Sequence, residues 1–208
     1  MRRTTAAIML GALSLVLAAA ARAGGGPAAA TVNGVAIPRD RLEASVNAYL
    51  NRRGTGFQFM TNPEQYKEVR RQVLDVLVER ELLWQEARKK ELIASTQEVD
   101  REIVRIRESF PSAESFKTEL MIGGFTEATY AEHIRRELSV QRLIREEIAA
   151  GVAVTEEEID AFHRANEEKI RRREEVRPYL HAEKVRRAVE DHVERLRAAG
   201  EVRIMEAR

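Results

Sequence analysis

The sequence predicts a mainly α protein in which a small β-sheet joins an N-terminal hairpin to a C-terminal strand. Three observations predict it. Charged residues make up 33% of the 208-residue chain and aromatic residues 5%, a composition suited to long amphipathic helices. Ser95 with Glu98 and Thr155 with Glu158 form the reciprocal Ser/Thr-x-x-Glu pattern that opens a helix. Short runs alternating apolar residues with polar ones, the period of a strand, lie near both ends of the chain.

Each element follows from local chemistry. ATVNGVAIP, residues 30–38, centres on Asn33-Gly34, a pair that tolerates the positive φ of a tight hairpin. A lone hairpin is not stable, and EVRIME, residues 201–206, alternates Val202 and Ile204 with charged residues. The two ends are therefore expected to share one sheet. Residues 39–51 read as a first helix, ending near Gly54-Thr55-Gly56. Asn62 and Pro63 open the second as N-cap and first helical residue. Its apolar stripe is Tyr66, Val69, Val73, Val76, Leu83 and Ala87, widened by Leu77 and Trp84 and interrupted by Arg80. The third starts at Ser95 and ends before Pro111.

Ser112 caps a fourth helix that stops at Gly123-Gly124. Thr126 caps a fifth, with Tyr130, Ile134, Leu138, Leu143 and Ile144 as its buried stripe. Thr155 opens a short helix over IDAFHRAN. Val185, Val189, Val193 and Leu196 define the last, which runs to Gly200. No internal repeat is visible, so a solenoid is excluded.

MRRTTAAIMLGALSLVLAAAARA begins with a positive Arg2-Arg3 pair, continues through a short apolar run and ends in Ala-Arg-Ala. This reads as a secretory signal peptide, residues 1–23, cleaved before Gly24. A membrane anchor is the competing reading, but the run is short, alanine-rich and followed at once by GGGP. The expectation is an exported, periplasmic protein with no stable membrane anchor and a flexible leader over residues 24–29. The chain has no cysteine, which excludes a lipid-modified cysteine and a disulfide framework. Removing residues 1–23 takes away three arginines and no acids, leaving 32 basic and 34 acidic side chains. A formal charge of −2 argues against nucleic acid as a partner.

The sequence offers no catalytic constellation. His133, His163, His181 and His192 lack neighbours at the three-to-five spacing of a local metal clamp. No serine lies in a nucleophile elbow. Glu156 and Glu157 sit in a first helical turn, where the helix dipole favours them without chemistry. No cofactor, metal or enzymatic activity is expected. What remains is apolar side chains at helix joints: Phe57, Phe59 and Met60 in GFQFM, and Phe110, Phe116, Met121 and Phe125 around the fourth helix. Such residues either dock on the core or meet a partner, and methionine's flexibility suits varied partners. These seven are the candidate binding residues; packing in a core is the competing reading for each.

The stretch EEKIRRREEVRPYL, residues 167–180, is densely charged and then meets Pro178. Glu167–Arg171, Glu168–Arg172 and Arg171–Glu175 are spaced for helical ion pairs, and Pro178 fits a helix's first turn better than its middle. Flanking glutamates argue against RNA binding by the Arg171–Arg173 run.

In order, VNGVAIPRDRLEA, VLDVLVERELLWQEARKKEL, STQEVDREIVRIRESFPSAESFKTEL, GGFTEATYAEHIRRELSVQRLI, VTEEEIDAFHRANEEKI and REEVRPYLHAEKVRRAVEDHVERLRAAGEVRI resemble a known arrangement. It is the chaperone part of SurA-like periplasmic folding factors, the parvulin-linked proteins of the SurA, PrsA and PpiD type. The resemblance implies one chaperone domain over residues 30–208, made of an N-terminal part (30–170) and a returning helix and strand (174–208). In that family a parvulin isomerase domain usually separates the two parts. Here they are joined directly, so residues 167–180 read as a seam. The implied function is ATP-independent holding of unfolded or partly folded envelope and outer-membrane proteins, without prolyl isomerase activity. Two alternatives stay open: a non-catalytic adaptor in an envelope secretion or export system, and a homodimeric or regulatory form that pairs with a parvulin-bearing relative.

Overall fold

The computed structural model describes residues 27–53, 62–166 and 172–205. Among them are seven α-helices and one three-stranded antiparallel sheet. β1 (Ala28–Val32) is central, flanked by β2 (Val35–Pro38) and by β3 (Val202–Ile204) from the far end of the chain. The mainly α class and the meeting of the two ends in one sheet are therefore observed.

The hairpin turn shows how little sequence is needed to fix this arrangement. Asn33 and Gly34 both take positive φ, 50° and 81°, the left-handed pair a two-residue turn requires. The Asn33 amide also joins three segments. Its Oδ1 accepts from the Glu201 backbone N–H at 2.7 Å, and its Nδ2 donates to Gln85 Oε1 at 2.8 Å. Backbone N–H groups of Asn33 and Met205 donate to the carbonyls of Glu201 and Ala29, so β3 is held at both ends. In register, Ala30 faces Ile37 and Ile204, while Val32 faces Val35 and Val202.

α1 (Arg39–Arg53) buries Leu42, Ser45, Val46 and Leu50 along one stripe. α2 (Pro63–Lys89) is the longest helix, opened by Asn62, whose side chain accepts from the Gln65 N–H. Its buried surface is wider than the stripe read from the sequence. Leu74, Val78, Glu81 and Leu82 are buried as well, while Val76 is only half-buried. The reason is position: α5, α1, the sheet and α7 cover α2 on several sides, so a single-face pattern understates its burial.

α3 (Thr96–Glu108), α4 (Ala113–Ile122) and α5 (Glu127–Leu143) follow, opened by Ser95, Ser112 and Thr126 through reciprocal capping. α5 continues into a π-helical turn, Ile144–Ile148, and a 3₁₀ turn, Ala149–Gly151. α6 (Glu156–Ala165) is capped by Thr155, and α7 (Val176–Ala199) brings the chain back to β3. Pro178 lies in the first turn of α7, as its chemistry requires. None of the described helices is long and apolar enough to cross a membrane.

The apolar residues segregate into two clusters. The larger combines the sheet, α1, α2, the end of α5 and α7, with Leu42, Val46, Leu77, Val78, Leu143 and Val189 at its centre. The smaller combines α3, α4 and the first half of α5, around Val99, Ile106, Phe116, Leu120, Tyr130 and Ile134. Leu138, read as part of the buried stripe, is half-buried at the margin of the smaller cluster, and Ser139 takes the buried position beside it. The Ser139 hydroxyl donates to the Arg135 carbonyl and accepts from the Ala94 N–H at 2.9 Å, which pins the start of α3 to α5.

Residues 167–171 lie outside the described residues, and with them one or both members of each ion pair expected in the seam. The flanks are firmly joined. Arg173 bonds Asp160 at 2.8 Å and Glu156 at 2.6 Å, and Lys184 bonds Glu158 and the Ala153 carbonyl, both at 2.7 Å. Arg177 pairs with Glu156 and donates to the Val154 carbonyl. The Phe162 and Tyr179 rings lie 5.2 Å apart. α6 and α7 thus form a helical hairpin stitched by charge.

The Asn33 junction makes a testable demand on Gly200. A Cβ built there would sit 2.7 Å from Asn33 Oδ1 and 3.1 Å from the Leu196 carbonyl. Gly200→Ala is expected to destabilise the fold by about 1–3 kcal/mol, the usual cost of overpacking, read from the urea midpoint at unchanged m-value.

Candidate functional site

The smaller cluster holds three of the seven candidate residues, Phe110, Phe116 and Phe125. α3 stops at Ser109, Pro111 follows, and Phe110 folds back over α4. On α4, Phe116 and Leu120 are one turn apart and face inward. Gly124, at φ 74°, then reverses the chain, and the Phe125 N–H donates to the Leu120 carbonyl at 2.8 Å, a glycine-terminated helix end.

Four rings meet edge to face within this frame. Phe110 and Phe116 lie 5.4 Å apart at 62°, Phe116 and Tyr130 5.8 Å at 71°, and Phe125 and Tyr130 5.2 Å at 72°. Such arrangements set the positive ring edge against the negative face. His133 extends the set, 5.3 Å from Phe125. Burial, with the nearby Glu102 carboxylate adding to it, pushes the Tyr130 phenol up to about 12, and its hydroxyl has no hydrogen-bond partner. Burial, reinforced by Arg80, Arg41 and Arg136, pushes His133 down to about 3. The imidazole is therefore neutral across the physiological range.

The structure separates the candidate residues. Phe110, Phe116 and Phe125 come together in the ring cluster, and Phe116 is 5% exposed. Phe110 and Phe125 are half-buried against the cluster, whereas contact between Phe116 and a partner requires the cluster to open. Met121 points the other way and is 70% exposed. Phe57, Phe59 and Met60 lie outside the described residues.

Sequence reasoning missed Ile122, which is 73% exposed beside Met121. The signal was available: once Phe116 and Leu120 face inward, the 100° step per residue turns 121 and 122 away from the cluster. The result is two adjacent apolar side chains at the tip of α4, backed by a ring cluster. Such a surface can offer dispersion contacts and desolvation to an apolar segment, with no directional chemistry of its own.

Other features carry less. A shallow groove of about 270 Å³ between α3 and α5 is lined mainly by charged side chains, including Arg101, Arg105, Arg142 and Arg145. Among the described residues, no group of three or more His, Cys, Asp or Glu side chains could hold a metal ion.

These features define a mainly helical domain with two apolar clusters, closed by a sheet that joins its ends, and with an exposed apolar tip. Residues 1–144 match the SurA-like N-terminal domain family, more than half of the chain, and the protein belongs to that family. No curated protein matches it.

Two expectations follow. Phe116→Ala should cost about 3–5 kcal/mol in denaturant unfolding, as for a buried aromatic, while Met121→Ala should stay within about 0.5 kcal/mol, as for a surface change. His133 also gives a pH dependence of definite sign. Its folded pKa lies below the unfolded one, so as pH falls below about 6.5 the unfolded chain takes up a proton that the fold excludes. Stability should fall with decreasing pH, with up to about 1.4 kcal/mol per unit due to this group. His133→Gln should flatten that part of the slope between pH 6.5 and 5 in chemical denaturation.

Proposed function

We propose that this protein is an ATP-independent holding chaperone that binds unfolded or partly folded envelope proteins, outer-membrane proteins among them, without prolyl isomerase activity. Membership of the SurA-like N-terminal domain family is the observation that carries the reading. The exposed Met121–Ile122 tip supports it, because it gives clients an adaptable apolar contact on a densely charged, soluble frame. Phe57, Phe59 and Met60 are further proposed client-binding residues, and Phe110, Phe116 and Phe125 back the Met121–Ile122 tip. The N-terminal signal-like segment supports export to the periplasm, with cleavage after Ala23.

Light scattering of a denatured outer-membrane β-barrel protein, diluted into buffer without ATP, tests this. Aggregation should fall in proportion to the protein added, and an unrelated helical protein should have no effect. Met121→Ser with Ile122→Ser should weaken suppression severalfold with little change in melting temperature. Unchanged aggregation at several-fold excess would remove the general-chaperone reading and favour an adaptor with one dedicated partner. A pull-down would then identify that partner, and recovery of a parvulin-bearing relative would favour pairing with it.

A further inference from the structure

Arg80, the polar interruption in the apolar stripe of α2, belongs to a charge cluster between α1, α2 and α5. Arg80 pairs with Glu137, and Arg136 pairs with Glu81 at 3.2 Å. Glu81 is 5% exposed and also accepts from Gln85 at 2.9 Å. The Arg136 guanidinium lies 5.2 Å from the centre of the Trp84 ring, a cation–π contact that fixes its plane. Arg136 also reaches Glu132 at 3.5 Å, and Glu132 in turn pairs with Arg135 at 2.9 Å.

Arg41 of α1 is the fourth cation. The charged groups that act on it are Arg136, Glu81, Arg80 and Glu137, and burial with the two arginines lowers its pKa. Both carboxylates are bonded to other arginines, and the Arg41 Nε is buried with no hydrogen-bond partner. The neighbouring His133 is neutral and adds no counter-charge. With Arg135 and Glu132 counted, the junction holds four cations, Arg41, Arg80, Arg135 and Arg136, against three carboxylates, Glu81, Glu132 and Glu137. A desolvated donor without an acceptor is costly, and such groups are rare in native structures. A planar guanidinium is also built to hold two oxygens of one anion.

We propose that Arg41, flanked by Arg80 and Arg136, is a binding site for a single small oxyanion, namely a carboxylate. The carboxylate comes from an acidic side chain or chain terminus of a bound polypeptide, or from a free small anion. The polypeptide source rests on the chaperone reading above; the free-anion source does not.

The test uses the purified protein in two arms. In the first, melting temperature is followed as sodium acetate replaces sodium chloride at equal ionic strength, and separately with inorganic phosphate. A saturable rise is expected in the native protein and in an Arg101→Gln control, but not in Arg41→Met. Arg41→Met should itself be no less stable than the native protein in chloride, because it removes a half-buried charge whose Nε is buried without a partner. In the second arm, two peptides of identical sequence, one with a free and one with an amidated C-terminus, compete for the protein. The free carboxylate should bind about tenfold more tightly, and Arg41→Met should erase the difference.

A response in either arm that disappears in Arg41→Met supports the site, and the arm that responds names the source. If acetate acts no differently from chloride and the two peptides bind alike, the proposal is overturned. The same holds if Arg41→Met keeps the full response. Should Arg41→Met fail to fold, the chloride-to-acetate comparison and the peptide pair still decide on the native protein. Loss of aggregation suppression with an intact acetate response would count against the chaperone reading alone.

Discussion

Two apolar clusters share one helix, and a layer of charge lies between them. The first half of α5 supplies Tyr130 and Ile134 to the smaller cluster, while its end and the following π turn supply Leu143, Ile144 and Ile148 to the larger. A regular α-helix drifts around its axis, so keeping one helix useful to two cores needs a local change of pitch. The five-residue π turn, in which the Ala149 N–H bonds the Ile144 carbonyl, supplies that change. The rest of the fold is arranged around this shared element.

The charge layer follows from the same constraint. Where α2 passes α5, Arg80, Glu81, Arg136 and Glu137 form crossed ion pairs beside the apolar contacts of the larger cluster. Buried ion pairs gain little over an apolar packing of equal volume. They do fix register, because shifting either helix by one residue would set like charges together. Farther along, Arg142 bonds Glu98 and the Ile93 carbonyl and holds the connection between α2 and α3 against α5. The smaller cluster is thus positioned by polar contacts and stabilised by its own rings, and the apolar tip of α4 stands on a structure that does not depend on the tip.

Much of this was legible in the sequence because the responsible chemistry is local. Ser95, Ser112, Thr126 and Thr155 each open a helix where they were read to do so, since a cap needs only a side-chain oxygen and the amides of the next turn. Asn33-Gly34 fixed the hairpin because its left-handed conformations are a property of those two residues. At the exposed tip of α4, Met121 stands out by residue type, whereas Ile122 emerges only from the phase of the helix around Phe116 and Leu120.

What the sequence by itself determined is the set of elements, their order and the meeting of the two chain ends, all matters of capping, turn chemistry and period. Only the tertiary structure decided which apolar residues are covered. It buried Phe116, left Phe110 and Phe125 half-buried against it and Met121 outside, buried Glu81 and set Arg41 beside two other arginines. Burial is a property of neighbours, and those neighbours lie on helices far apart in the chain, where no local pattern records them.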